Sequence, residues 1–373
     1  MVRAAETPVT MIDPDSLSTP SSIYEIETPA LVVDLDALEH NINTLATAFE
    51  NVPAVVRPHV KNHKCPDIAK LQIAAGAQGV TCATVREAQG MFRGGVSDLL
   101  IANEVVGPAK IARLVRLAKD GADIKAAVDS EVNVRDLSAA AVAADTELGI
   151  LVDLNVGLDR CGVEPGEQAI ELAKVVDSLP GLNFLGLMAF DGHVGNITEP
   201  EGRSSACRDA MQLAVDTKRM VEEAGIACPV LSASSSKSYE TALEFPDVTE
   251  VQAGMYLFMD TTYRSRFPDV PFRQAAFILS TVISRRGDRA VADGGIKALT
   301  GFRGEPTIRD RDDCEPVGLS AEHLSLDLTP DSDLAIGDLL WMAPAYGDGL
   351  SAIHRRIYAI RDGVVEHVWP VRY

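Results

Sequence analysis

The sequence predicts an α/β fold, namely a (β/α)8 TIM-type barrel followed by a smaller C-terminal β domain. From Thr28 onward, short apolar strands alternate with alanine-rich amphipathic stretches, a pattern typical of parallel strands joined by helices. Roughly eight such units, and the lack of a glycine-rich dinucleotide fingerprint after any strand, favour a closed barrel over an open sheet. After about Phe272, strand-like runs follow one another without helices between them.

The chain divides into an N-terminal segment over 1–27, which we expect to pack with the β domain, a barrel over 28–271 and the β domain over 272–373. Strands of the barrel region are predicted at 30–33, 54–61, 79–83, 98–102, 124–128, 148–156, 184–190, 229–233 and 248–252. Helices are predicted at 35–49, 66–75, 85–90, 108–119, 132–143, 165–178 and 203–224. The β-domain strands are predicted at 276–285, 289–292, 339–343, 357–360 and 364–369, with Asp362-Gly363 as a tight hairpin turn.

Composition and charge exclude several classes of protein. The 373 residues are 46% hydrophobic and carry a formal net charge of -20, which argues against a nucleic-acid-binding surface. No stretch has the length of a membrane span, and the polar N-terminus lacks the apolar core of a signal peptide. The six cysteines are scattered without metal-binding spacing. We therefore expect a soluble cytoplasmic protein with no membrane or nucleic-acid partner.

The segment from Arg57 to Lys64 is an ordered string of cations and imidazoles that ends a β-branched run. In a strand, alternate side chains share a face, so Arg57, His59 and Lys61 are expected to point the same way. Burial favours the neutral amine of a lysine, which can bond covalently to an aldehyde. Taken alone, the motif is equally compatible with a basic loop in solvent.

Other polar groups follow the predicted barrel strands at their carboxyl ends, where function in this fold resides. Arg160 lies on the loop after 148–156, and His193 follows the next strand. The small-residue turns at 234–238 and 254–256 present backbone N–H groups suited to a phosphate. A reactive lysine, an arginine and a phosphate site together imply an aldehyde cofactor with a phosphate tail, for which pyridoxal phosphate is the candidate.

The chain resembles the D-threonine aldolase and D-serine dehydratase group of the alanine-racemase-type, fold type III, pyridoxal-phosphate enzymes. The resemblance rests on the segments 28–34, 57–64, 157–163, 254–260 and 293–298. It implies that Lys61 carries the covalent link to the cofactor and that Arg160 bonds the ring oxygen. It also implies a phosphate site made by Ser234, Ser235, Ser236, Ser238, Tyr239, Gly254, Met255 and Tyr256.

Two departures from that group bear on the chemistry. The group's Gly-Gly-Thr-Gly-Thr-Tyr phosphate turn is replaced by 234–239, in which Lys237 adds a charge. The group's metal motif pairs a histidine with an acid or cysteine two residues later, whereas here Tyr346 stands in the histidine position. Asp348 is left as the single metal ligand. One carboxylate does not make a transition-metal site, although Mg²⁺ or Mn²⁺ accepts few protein ligands.

The resemblance implies a lyase that cleaves a β-hydroxy D-amino acid by a retro-aldol reaction to glycine, or another amino acid, and an aldehyde. His59, His193 and Tyr346 are the candidates for general acid or base. Dehydration of D-serine or a 3-hydroxy-D-amino acid is the nearest alternative. Racemisation or epimerisation by Lys61 and Tyr346, without a metal, and cofactor binding without catalysis are the others. We expect a small amino-acid substrate and a homodimer with shared active sites.

Overall fold

The structure, a computed structural model, describes residues 19–372, so that residues 1–18 of the predicted N-terminal segment lie outside it. Its strands, in chain order, are β1 Ser21–Ser22, β2 Ala30–Asp34, β3 Val55–Val56, β4 Val80–Cys82, β5 Asp98–Glu104, β6 Asp123–Val128, β7 Leu148–Asp153, β8 Leu182–Ala189, β9 Val230–Ala233, β10 Glu250–Val251, β11 Ala276–Arg286, β12 Arg289–Ala292, β13 Thr307–Ile308, β14 Cys314–Leu319, β15 Leu324–Leu328, β16 Leu339–Ala343, β17 Arg356–Arg361 and β18 Val364–Pro370.

The α-helices are α1 Leu35–Ala48, α2 Pro66–Ala74, α3 Val85–Arg93, α4 Pro108–Lys119, α5 Glu131–Ala144, α6 Glu167–Ser178, α7 Pro200–Glu223, α8 Tyr239–Ala242, α9 Thr261–Arg266, α10 Ile296–Leu299 and α11 Leu350–Ile353. Short 3-10 helices are Ile23–Glu25, Val60–Asn62, Gly192–Asn196 and Met255–Leu257. No helix within residues 19–372 is long and apolar enough to cross a lipid bilayer.

Eight parallel strands form the barrel. Their order is β3-β10-β9-β8-β7-β6-β5-β4. A parallel bridge between His59, just after β3, and Thr81 of β4 joins the two ends of this order. The predicted barrel is therefore confirmed. Closure brings the carboxyl ends of all the strands to one rim, where the loops that follow them can meet.

The barrel has an apolar interior that is distinct from the core under its helices. Leu100, Ala127, Leu151 and Met188 come from four neighbouring strands and form a cluster of their own. Their sequence neighbours belong to the larger cluster between strands and helices, as the two-residue period of a strand requires. Full burial of one such leucine contributes about 2 kcal/mol to stability.

The second sheet is built around β2 rather than around C-terminal strands alone. β2 pairs in parallel with β17 and antiparallel with β11. The strand predicted at 30–33 inside the barrel region therefore lies in this sheet instead. Its run Ala30-Leu31-Val32-Val33 is buried on both faces, and such a run looks the same in sequence whichever sheet it joins. The short β1 pairs with β18.

The C-terminal hairpin follows the sequence prediction, whereas some strands before it were missed. Arg361 faces Val364, and both Asp362 and Gly363 have positive φ, as in the two-residue turn that Asp-Gly favours. The strands β13, β14 and β15 were not predicted. β14 contains Pro316 and Gly318 with a register shift between them, and these residues disrupt the alternation by which strands are recognised.

The strand predicted at 54–61 is much shorter in the structure. β3 ends at Val56, and Val60–Asn62 forms a 3-10 turn instead. Pro58 lacks the N–H that a continued ladder would need, and the Asn62 side chain donates to the Gly254 carbonyl at 2.9 Å. The alternating-face argument that grouped Arg57 with Lys61 is therefore wrong.

Arg57 instead forms a buried ion-pair network near the start of two strands. Its Nη1 lies 2.6 Å from Asp98 Oδ1, and its Nε lies 2.8 Å from Glu250 Oε2. Asp98 and Glu250 are the first residues of β5 and β10. Gly79 makes room for this network, because it has positive φ and a Cβ there would lie 2.6 Å from Asp98 Cγ. Three segments of the barrel are thus joined by one guanidinium.

Replacing Arg57 with methionine should lower the free energy of unfolding by about 3 to 5 kcal/mol, because the buried Glu250 carboxylate loses its partner, whereas the more exposed Asp98 keeps Lys125. Guanidinium denaturation at pH 7 measures this. Arg116→Met is the matched control, since Arg116 pairs with Asp120 on the exposed face of α4, where a pair contributes about 0.5 kcal/mol or less. Equal effects of the two substitutions would contradict the structural role given to Arg57.

Candidate active site

A cavity of about 390 Å³ opens at the rim formed by the carboxyl ends of the barrel strands. Three cationic side chains line it, together with apolar, amide and hydroxyl groups, and no carboxylate does. The lining residues are His59, Lys61, Ala83, Ala102, Asn103, Arg160, Cys161, Met188, Phe190, Ser235, Ser236, Lys237, Gln252, Gly254, Met255 and Tyr263. Such a lining favours an anionic ligand with an apolar body.

Lys61 projects into this cavity from the 3-10 turn after β3. Its Nζ lies 3.4 Å from Asp348 Oδ2, and its side chain is 40% exposed. Lys64 stabilises this turn, because its Nζ donates to the Lys61 carbonyl at 2.7 Å and to Ser351 Oγ at 2.9 Å. Ser351 belongs to α11, so this contact also ties the second domain to the lysine that faces the cavity.

His59 lies beside Lys61 in the cavity wall. Its Nδ1 accepts a hydrogen bond from the Lys61 N–H at 3.4 Å, which leaves the proton of the neutral ring on Nε2. Burial, and after it the charge of Lys61, holds the pKa of His59 well below its ordinary value. Gly254 packs against this residue, since a Cβ there would lie 3.1 Å from His59 Cβ.

Arg160 reaches the cavity from the loop after β7. Its guanidinium carbon lies 5.5 Å from the centre of the Phe190 ring. Nearby, the buried Asp153 carboxyl at the end of β7 interacts with Arg160 and with Glu104. Burial first, and then the Glu104 carboxylate, raises the pKa of Asp153 to about 8.

The two small-residue turns meet as the sequence predicts. Ser236 Oγ accepts hydrogen bonds from the backbone N–H groups of Gly254 and Tyr256, each at 3.0 Å. Ser235, Ser236, Gly254 and Met255 line the cavity. The hydroxyls of Ser234 and Ser238 lie 3.0 Å apart and are buried behind this wall.

Two predicted tyrosines point elsewhere. The Tyr239 hydroxyl donates to Glu240 at 3.0 Å, and the Tyr256 hydroxyl accepts from Gln72 at 2.6 Å. Their rings pack in the core against Phe272. A small residue at either position would therefore perturb the core, and only the backbone N–H of Tyr256 faces the turn.

His193 is not brought into the cavity. It lies in the 3-10 helix Gly192–Asn196, with its ring against Gly157, where a Cβ would be 3.0 Å from His193 Cε1. The ring lines neither this cavity nor the one beside it. Of the histidines predicted as acid or base, the structure thus places His59 alone at the cavity.

A second cavity of about 220 Å³ adjoins the first and shares Lys237, Met255 and Tyr263 with it. Tyr346 and Asp348 line it. Burial first, and then Asp348, raises the pKa of Tyr346, so its phenol keeps its proton at neutral pH. The Oδ1 atom of Asp348 is buried and has no hydrogen-bond partner within residues 19–372.

Several lining residues were missed from the sequence. Gln252 ends a predicted strand, so the same reasoning that selected Lys61 could have found it. Tyr263, in α9, and Arg303, on the loop after α10, lie in segments without a strand-end signal. The guanidinium carbon of Arg303 lies 5.5 Å from the centre of the Tyr346 ring.

Comparison with known proteins identifies two domains. A family model described as alanine racemase, N-terminal domain, matches residues 33–262, and one described as putative serine dehydratase domain matches residues 275–360. A solved structure of D-threonine aldolase from Filomicrobium marinum superimposes with a TM-score of 0.90 at 35% identity, covering 95% of this chain and 97% of that one.

Among individual relatives, D-threonine aldolase from Arthrobacter sp is 36% identical over 353 residues, which are 94% of this chain and 93% of that protein. The 3-hydroxy-D-aspartate aldolase of Paracoccus denitrificans (strain Pd 1222) is 37% identical over 356 residues, 93% and 92% of the two chains. D-threo-3-hydroxyaspartate dehydratase of Delftia sp. (strain HT23) is 29% identical over 297 residues, 78% and 77%.

The raised pKa of Asp153 gives stability a specific pH dependence. The folded protein keeps a proton that the unfolded chain releases above about pH 4, so the free energy of unfolding should fall between about pH 4 and 8. One proton corresponds to a slope of at most about 1.4 kcal/mol per pH unit. Asp153→Asn should flatten this fall in denaturation curves, whereas Glu147→Gln, an exposed acid before β7, should not. Parallel profiles for Asp153→Asn and wild type would contradict this assignment.

Proposed function

Because the chain belongs to the family of the alanine racemase N-terminal domain, within the fold type III pyridoxal-phosphate enzymes, we propose that it cleaves β-hydroxy D-amino acids by a retro-aldol reaction. The products would be glycine or another amino acid and an aldehyde. The relatives that are 36% and 37% identical over 94% and 93% of the chain are aldolases, so the chain is an enzyme of the lyase type, and the alternative of a non-catalytic binding protein is set aside. The lysine at the rim of the cationic cavity carries the proposal.

The residues present fit pyridoxal phosphate. The cofactor supplies an electron sink for negative charge at the substrate Cα. Lys61 would hold its aldehyde carbon, and Arg160 would hold its ring oxygen. The turns that contain Ser235 and Gly254 would hold the phosphate. The observation that supports this fit is the lining itself, because three cations face a cavity that no carboxylate lines, and this arrangement favours an anionic ligand.

Asp348 is the group we assign to the substrate's β-hydroxyl. Its Oδ1 is buried without a partner, and its Oδ2 faces Lys61. The carboxylate would take the hydroxyl proton as the bond between Cα and Cβ breaks, and the aldehyde would leave with its new carbonyl group. The Lys61 amine, at the same rim, would return a proton to Cα. His59, neutral because burial lowers its pKa, would orient the reacting groups as a hydrogen-bond donor through Nε2.

A divalent metal does not fit the residues beside Asp348. Tyr346 occupies the place of the expected histidine, and the ammonium of Lys61 already lies 3.4 Å from the one carboxylate. Within the described residues, the sole grouping of three metal-type ligands is Glu104, Asp129 and Cys161, and it does not include Asp348. We therefore propose that this enzyme needs no Mg²⁺ or Mn²⁺ and that no metal acts on the β-hydroxyl.

Tyr346 supports dehydration as the second candidate. Its phenol keeps its proton, because burial and Asp348 raise its pKa, so it could protonate a departing hydroxyl to give water. The match of residues 275–360 to a putative serine dehydratase domain agrees with this alternative. Racemisation needs an acid and a base on opposite faces of the cofactor, and Tyr346 with Lys61 would be that pair.

We also propose that the protein works in a reducing compartment such as the cytoplasm, because all six cysteines are free and five of them are buried.

We propose a homodimer as well. Phe302, which is 58% exposed, packs edge-on against Tyr346 at the second cavity. A second copy seated on this apolar group would complete the wall of that cavity, and so each active site would be shared.

Product analysis separates these reactions. With D-threonine, D-serine and 3-hydroxy-D-aspartate, cleavage yields glycine and an aldehyde, dehydration yields a 2-oxo acid and ammonia, and racemisation yields the L form. We expect glycine and aldehyde from the D substrates, with the L substrates as controls. No turnover of any D substrate would overturn the proposal.

The same assay tests the independence from metals. After exhaustive chelation, and after adding back Mg²⁺, Mn²⁺ or Zn²⁺ singly, we expect the rate of cleavage to stay unchanged. Asp348→Asn should lower kcat by about 100-fold or more, since it removes the general base. Strict dependence on an added metal would overturn the proposal of a metal-free enzyme.

A further inference from the structure

Lys237 is the cation of the main cavity that has no role so far. Lys61 is assigned to the covalent link with the cofactor, and Arg160 is assigned to the ring oxygen. Its Nζ donates to Ser235 Oγ at 2.8 Å and lies 5.8 Å from the centre of the Phe190 ring. The stem is fixed in place, because it packs on Gly195, where a Cβ would lie 2.9 Å from Lys237 Cε. The ammonium is thus directed at the serine turn rather than at solvent.

No carboxylate lies within 4.0 Å of Lys237 among residues 19–372. The nearest compensation is indirect, because Ser235 Oγ in turn lies 3.4 Å from Asp191 Oδ1. Burial lowers the pKa of the Lys237 ammonium, and Asp191 opposes this shift. A partly buried ammonium that has only a hydroxyl as its neighbour is costly, and a direct anionic partner would stabilise it.

The backbone next to Lys237 offers further donors. The N–H groups of Ser235, Ser236 and Lys237 donate to no acceptor in the described part of the chain, whereas those on either side, at Ser234 and Ser238, do. Ser234 has a φ of +63°, which reverses the chain at this point. Three consecutive free N–H groups are suited to bind an anion, and the ammonium of Lys237 lies beside the first of these residues.

We propose that Lys237 is the counter-ion of the cofactor phosphate, which the N–H groups of 235–237 also bind. This inference rests on the proposed use of pyridoxal phosphate. The phosphate turn expected from the resemblance has only neutral residues, so this chain would hold the phosphate by a charge-assisted bond that the usual turn lacks. It also assigns the cavity's three cations to three different parts of one cofactor.

The test compares two ligands that differ only in the phosphate. Full-length wild type, Lys237→Met and Lys237→Arg are freed of cofactor and titrated with pyridoxal phosphate and with pyridoxal, with the visible absorption as the readout. Lys237→Met should raise the Kd of pyridoxal phosphate by about 10- to 100-fold and leave that of pyridoxal unchanged. Lys237→Arg should keep most of the affinity. Lys174→Met, on the exposed face of α6, is the matched control.

Unchanged pyridoxal binding shows that the variant is folded, and Lys237→Gln replaces it should Lys237→Met fail to fold. Equal losses for both ligands would overturn the proposal. So would an unchanged Kd for pyridoxal phosphate with a raised KM for the amino acid, because Lys237 would then face the substrate. A wild type that binds neither ligand would instead refute the proposed function, so the two failures are distinguishable.

Discussion

Closure of the barrel by the segment after β3 is the constraint on which the rest of the structure depends. The bridge from His59 to Thr81 joins the first and last strands of the sheet, and the Arg57 network joins the same segment to β5 and β10. Because the segment is fixed on both sides, the position of the 3-10 turn that follows it is fixed as well. Lys61 therefore reaches the rim where all the strands end. Lys64 holds the turn by donating to the Lys61 carbonyl and to Ser351 of the second domain.

Charged side chains at the two ends of the barrel have different partners. Arg57 lies near the amino ends of the strands, where it pairs with two carboxylates, so its role is structural. Lys61, Arg160 and Lys237 lie at the carboxyl ends, in a cavity that no carboxylate lines. The chain has a formal net charge of -20, which disfavours an anionic ligand elsewhere on the protein, so this local reversal of charge supports the proposed cofactor site. Asp348 and Tyr346, to which we assign proton transfer, line the second cavity beside these cations.

Much of this could be predicted from the sequence, and the failures have physical causes. The barrel, Lys61, Arg160 and the meeting of the two turns follow from strand periodicity and from polar residues at strand ends. The destination of β2 could not be predicted, because an apolar run does not encode which sheet it joins. The position of Arg57 could not be predicted either, because the direction of its side chain depends on where Pro58 ends the ladder. His193 was expected at the cavity from its place after a strand, yet the 3-10 helix turns its ring onto Gly157. The acids around Asp153 lie at the carboxyl ends of neighbouring strands, since Glu104 ends β5, Asp129 follows β6 and Asp153 ends β7, so the strand order brings them together.

Lys61, at the barrel rim, is the one lysine that we propose as the anchor of the cofactor. Reducing the holoenzyme with borohydride converts the covalent link to a stable amine, and peptide mapping then finds the labelled residue. The label is predicted on Lys61 alone, with Lys64 and Lys237 unmodified although both lie near it. A label on Lys64 or Lys237, or none on any lysine, would contradict the account.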